Sequence, residues 1–218
     1  MKTDKINLYK YAVILAIITV FYNLIEGLIS VYFGMQDETI SLFGFGIDSF
    51  VEVISGIGIW HMLIRIKNKG EEQGEFEKTA LRITGTAFYV LVVGLIITAI
   101  YNIYLGHKPE TTFWGIVISL ISIITMSALI FFKMKVGKAL NSKALIADAN
   151  CTKTCLYLSI ILLVASVGYE LTGFGGIDSA GALLIAYFSF KEGREAFEKA
   201  KTGKNCECET NHKKSSAD

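Results

Sequence analysis

The chain has 218 residues, 52% of them apolar, with a formal net charge of +1 and a single proline. A balance this close to neutral says nothing in favour of a nucleic-acid partner, and none is expected; the four cysteines fall at spacings that give no disulfide framework. Soluble domains approach this apolar fraction, so distribution decides the class: charges gather into four clusters separated by apolar runs, most long enough to cross about 30 Å of hydrocarbon.

In chain order the runs predict six helices, over about Tyr9–Phe33, Ile40–Ile66, Ala80–Leu105, Phe113–Phe132, Ala144–Leu171 and Ile177–Phe190. The first run has no small-residue cleavage site and is followed by several more, so it reads as a span rather than a signal peptide. The sixth is short, and it spans only if Lys191 and Arg194 snorkel and the helix continues through Lys191–Ala200.

Orientation follows from the basic residues. Lys2, Lys5 and Lys10 lie before or at the start of the first run, and Arg65, Lys67, Lys69, Lys78 and Arg82 cluster around the junction of the second and third. Lys133, Lys135, Lys138 and Lys143 separate the fourth from the fifth, and the remaining cluster begins at Lys191. By the positive-inside rule these segments are cytoplasmic. The expected fold is an all-α integral membrane protein, a six-transmembrane-helix bundle with both termini cytoplasmic and no soluble C-terminal domain. Residues 1–200 would form the membrane domain and 201–218 a polar cytoplasmic tail.

The polar residues inside the spans carry the functional signal. Asp48 and Glu52 lie in the second run, and a carboxylate at a helix centre costs about 2.5–3.5 kcal/mol to insert. Spaced i, i+4 they share a face, where like charges repel unless a cation or a proton sits between them. That spacing points to a cation site. The first run adds Glu26, with Asn23 and Ser30 on the same stripe. The fifth adds Asp148, Cys151, Thr152 and Cys155, on one face of the helix within an arc of about 100°. Counting about 1.5 Å per residue puts Asp48, Glu52, Cys151 and Cys155 near midplane, and Glu26 at the depth of Asp48.

Asp48, Glu52, Cys155, Cys151 and Asp148 are therefore the candidate metal ligands. Glu26, Thr152 and Asn23 are candidates for supporting those ligands or relaying protons. Lys153 lies about 140° around the fifth helix from Asp148, so it either pairs with Glu26 or another acid or reaches toward the cytoplasm. Asp178, near the outer mouth, reads as a helix cap. Ser, Thr and Asn residues of the third and fourth runs read as helix-packing contacts. In the tail, Cys206, Cys208 and His212 either collect soft metal or are incidental.

These residues resemble the cation diffusion facilitator family of divalent-metal transporters over about residues 8–200. The resemblance rests on Gly46-Ile-Asp48-Ser49-Phe-Val-Glu52, on Asn141-Ser142 through Ala147-Asp148-Ala149, Cys151 and Cys155, and on Ile177-Asp178 through Gly181 and Ala186 with Lys191-Glu-Gly193. It implies a tetrahedral transport site from the positions of Asp48, Glu52, Cys151 and Cys155, and a homodimer. Family members usually carry Asp or His where this chain has its two thiols. In a subgroup with a similar second-helix motif, a cysteine matches Cys155, whereas the Cys151 position varies and Thr152 is typical. The cytoplasmic αββα domain common in the family has no counterpart in this sequence.

The expectation is a non-enzymatic, multi-pass cell-membrane protein: a secondary active transporter that exports a divalent heavy-metal cation by metal/proton antiport through a midplane site. Its partners would be the lipid bilayer, the transported metal and protons, with no tightly bound cofactor. Mixed sulfur and oxygen ligands favour zinc or cadmium, and thiolates also tolerate Cu(I) and Hg²⁺, whereas dominance of the acids favours manganese, iron or cobalt. A cation channel is one alternative. An intramembrane thiol enzyme or redox protein using Cys155 and Asp148 is another. Against the latter, the two thiols are not spaced as a redox Cys-x-x-Cys, and His61, His107 and His212 all lie at span ends or in the tail.

Overall fold

The computed structural model describes residues 2–36, 39–69, 75–106, 108–140 and 142–202. Among them are six helices and no strand: α1 Lys2–Gln36, α2 Ile40–Lys69, α3 Glu75–Leu105, α4 Phe113–Leu140, α5 Lys143–Thr172 and α6 Gly176–Thr202. Every helix outruns the apolar stretch that predicts it, because the Lys- and Glu-containing ends are good helix formers and nothing there breaks the ladder. The predicted tail with Cys206, Cys208 and His212 lies outside the described residues.

Five helices are long and apolar enough to cross a membrane: α1 to α4, and α5 from Asp148 onward. The sixth is not among them, since its second half carries Lys191, Arg194 and Lys199. It nonetheless runs unbroken through Ala200, which meets one of the two conditions for it to span, the continuation of the helix. The fold is the expected all-α membrane bundle. Rows such as Ile18, Phe21, Ile25 and Leu28 on α1, and Val90, Val93, Ile97 and Ile100 on α3, are exposed at helical spacing. Such continuous apolar faces suit lipid and not water.

The helices pair as α1 with α2, α3 with α6 and α4 with α5, and α2 also touches α3, α5 and α6. This central place explains why α2 carries the densest motif. Its approach to α1 depends on Gly46, where an added Cβ would meet Val31 N at 2.7 Å and Ser30 Cβ at 2.9 Å. Only a missing side chain permits that contact.

At the outer end Asp178 of α6 closes the start of α2. Its Oδ2 accepts from Ile40 N–H at 2.9 Å and its Oδ1 from Ser41 N–H at 3.1 Å, while Ser41 Oγ donates to Asp178 O at 2.6 Å. Asp178 is thus a cap, but of a neighbouring helix. The carboxylate satisfies the orphan donors and the positive end of the α2 dipole. At the other end, Ser142 caps the start of α5 through Leu145 N–H, and back at the outer end Gly173 at φ 65° closes that helix with its N–H on Tyr169 O.

One expectation needs correction. The fourth run predicts a helix ending at about Phe132, but α4 continues to Leu140 and carries Lys133, Lys135 and Lys138, and Lys133 is buried at 1% exposure. The apolar run ends where the helix does not, and an acid on α5 draws Lys133 inward.

Candidate metal centre

The centre is built outward from Glu52. Its carboxylate is held from both sides: Asn23 Nδ2 of α1 donates to Oε2 at 2.9 Å, and the Cys155 thiol of α5 donates to Oε1 in a close contact. One turn earlier on α2, Asp48 is 2% exposed, and its Oδ1 accepts from Ser189 Oγ of α6 at 2.8 Å. Beside Asp48, Ser49 Oγ donates to Glu26 Oε2 of α1 at 3.2 Å, and Tyr22 OH donates to Glu26 Oε1 at 2.8 Å. Four helices thus meet around the two α2 acids. The i, i+4 geometry of α2 turns Asp48 and Glu52 to one side, and each acid finds its donor on a different neighbour.

The α5 candidates do not act as a unit. Lys133 Nζ lies 2.9 Å from Asp148 Oδ2 and donates to Thr152 Oγ1 at 3.0 Å, while Thr152 Oγ1 donates to the Asp148 carbonyl at 3.1 Å. Cys151 Sγ accepts from Lys199 Nζ of α6 at 3.7 Å. Only Cys155 reaches Glu52. These residues share one helix face but spread over an arc of about 100° and about 10 Å along the axis from Asp148 to Cys155, so each meets a different partner.

Among the described residues no three His, Cys, Asp or Glu side chains stand close enough together to hold a metal ion. The structure brings together Glu52 and Cys155, with Asp48 a turn away and Asn23 on the second carboxylate oxygen of Glu52.

Lys153 meets no acid in this centre: its Nζ donates to Asn150 Oδ1 at 2.9 Å on its own helix. Several residues were not singled out from the sequence. Tyr22 sits at i−4 from Glu26, a spacing that would have revealed it. Ser189 of α6 and the pair of Thr154 Oγ1 donating to Glu192 Oε1 at 2.8 Å carry no local signal, because their partners are distant in sequence. Lys133 could have been found by asking what neutralises Asp148 in an apolar helix.

Residues 12–202 match the model of the cation efflux transmembrane domain. The chain is 29% identical over 182 residues to an uncharacterised transporter of Methanocaldococcus jannaschii, covering 80% of this chain and 64% of that protein. It is also 29% identical over 192 residues to the manganese efflux system protein MneP of Bacillus subtilis, covering 81% of this chain and 63% of that one. The chain therefore spans less than two thirds of the length of either relative.

Proposed function

The chain belongs to the cation efflux family, a family of multi-pass membrane transporters rather than enzymes, and from that premise we propose that it exports a divalent metal cation from the cytoplasm. The cation passes between α2 and α5, bound by Asp48, Glu52 and Cys155. The observation that carries this reading is the contact of the Cys155 thiol with Glu52 beside the buried Asp48. In hydrocarbon such acids stand only where they serve an ion or each other.

Of the expected ligands, Asp148 stays with Lys133 and Cys151 with Lys199, so the set is richer in oxygen than in sulfur. An oxygen-dominated set with a single thiol favours Mn²⁺, in keeping with the manganese efflux relative. The remaining thiol favours the second reading, Zn²⁺ or Cd²⁺. Metal bonding to Cys155 requires the thiol to lose its proton, so each cation bound releases at least one proton from the centre. Antiport follows, with the proton returning from outside as the metal leaves. Inward proton movement gains about 2.3 kcal/mol per 100 mV, which can drive export. Both termini lie in the cytoplasm, and the protein works as a homodimer in the cell membrane.

The test is Mn²⁺ and Cd²⁺ uptake into proteoliposomes under an imposed pH gradient. Metal flux that depends on the gradient, and is lost in Asp48→Ala, supports the reading. Flux that ignores the gradient supports a channel, and flux unchanged in Asp48→Ala removes the site.

A further inference from the structure

The side-chain amide of Asn23 is the one group around Glu52 whose hydrogen bonding is half finished. Its Nδ2 donates to Glu52 Oε2 at 2.9 Å. Its Oδ1 is buried and has no donor, on a residue only 1% exposed. A buried carbonyl oxygen without a partner is costly and calls for an explanation in a settled structure. Among the described residues the other buried oxygens without a hydrogen-bond partner are Ser30 Oγ, Thr84 Oγ1 and Ser166 Oγ, hydroxyls that can rotate toward a neighbouring carbonyl, and Asp148 Oδ2, which is ion-paired with Lys133 Nζ at 2.9 Å. An amide cannot, because turning Oδ1 toward a donor takes Nδ2 away from Glu52.

We infer that Asn23 is a direct ligand of the transported cation, supplying a neutral oxygen from α1 to the centre formed by Asp48, Glu52 and Cys155. The inference rests on the cation reading of that centre. Asn23 already bonds one candidate ligand, and Glu52 in turn contacts Cys155, so a cation held by Glu52 lies next to the Asn23 amide. Its charge satisfies Oδ1 while Nδ2 keeps the carboxylate oriented. A fourth donor that is oxygen, neutral and uncharged by pH also makes the set harder, favouring Mn²⁺ over Cd²⁺.

This role separates from a purely structural one through two substitutions. Asn23→Asp keeps an oxygen at the position and removes the N–H donor, while Asn23→Leu removes both. Binding of Mn²⁺, read from the free-ion electron paramagnetic resonance signal, and of Cd²⁺ by competition, is measured on the full chain in detergent. Glu52→Ala and Cys155→Ser are measured alongside. Asn23→Leu is expected to weaken Mn²⁺ binding at least about tenfold, with a smaller loss for Cd²⁺, and Asn23→Asp to hold Mn²⁺ as tightly as the parent or tighter. Should the leucine variant fail to elute as a single species, Asn23→Ala replaces it. Equal losses in Asn23→Asp and Asn23→Leu overturn the inference, since the amide then acts only through its N–H on Glu52. Unchanged Mn²⁺ binding in Asn23→Leu overturns it as well. If Glu52→Ala and Cys155→Ser also bind metal as the parent does, the cation reading fails with it. If those two lose affinity and Asn23→Leu does not, only the inference fails.

Discussion

Lys133 Nζ of α4 lies 2.9 Å from Asp148 Oδ2 of α5, with the two side chains 1% and 10% exposed. The pair assigns Asp148 a partner inside the protein and keeps it apart from Asp48 and Glu52. Thr152, which accepts from the same ammonium, fixes where the lysine sits.

Removing one member of this pair strands the other. Lys133→Met should therefore destabilise the protein by about 3–5 kcal/mol, the usual consequence of breaking a buried ion pair from one side. Lys133→Met combined with Asp148→Asn should recover most of that loss, because no buried charge is then left alone. Thermal unfolding of the purified variants in detergent measures both. A double variant no more stable than Lys133→Met would contradict the pairing.

The approach of α1 to α2 gives a second prediction. Gly46→Ala places a methyl against Val31 N and Ser30 Cβ, backbone and near-backbone atoms that cannot swing aside, whereas a Cβ at Gly94 meets nothing within 4 Å. Gly46→Ala should lower the unfolding temperature and weaken metal binding, since Asn23 and Glu26 face Glu52 and Ser49 across this same seam. Gly94→Ala should leave metal binding unchanged. Melting curves and metal titrations on the two variants check this.

The cap on α2 gives a third. Asp178→Ala leaves the N–H groups of Ile40 and Ser41 without their acceptor and should reduce stability by about 1–2 kcal/mol. Asp178→Asn, which retains one acceptor oxygen, should lose less. Neither should change the ratio of Mn²⁺ to Cd²⁺ transport, because Asp178 caps α2 about 18 Å along the helix axis from Glu52. A changed ratio would give Asp178 a place on the cation path.

Much of this architecture is legible in the sequence. The six helices follow from apolar run length, and the importance of α2 follows from two acids placed where acids are expensive. The pairing of partners is what periodicity could not supply. Asp148, Cys151 and Cys155 share a helix face, yet each meets a different helix, because axial separation matters as much as angle. Lys133 reads as a loop residue when the apolar run is taken as the helix, although its long stem can lie in an apolar environment if its charge finds Asp148. Asn23 is visible as part of a polar stripe with Glu26. That its amide binds Glu52 on another helix depends on the close seam at Gly46, which only the folded structure reveals.

The most direct measurement of the central claim is the thiolate-to-metal charge-transfer absorption of the Cd²⁺-loaded protein, made with Cys206→Ser and Cys208→Ser in place so that the tail thiols contribute nothing. The account predicts a band that survives Cys151→Ser, disappears in Cys155→Ser and weakens sharply in Asp48→Ala and Glu52→Ala. A band that persists in Cys155→Ser, or that depends on Cys151 instead, would contradict the assignment of the cation to the centre between α2 and α5.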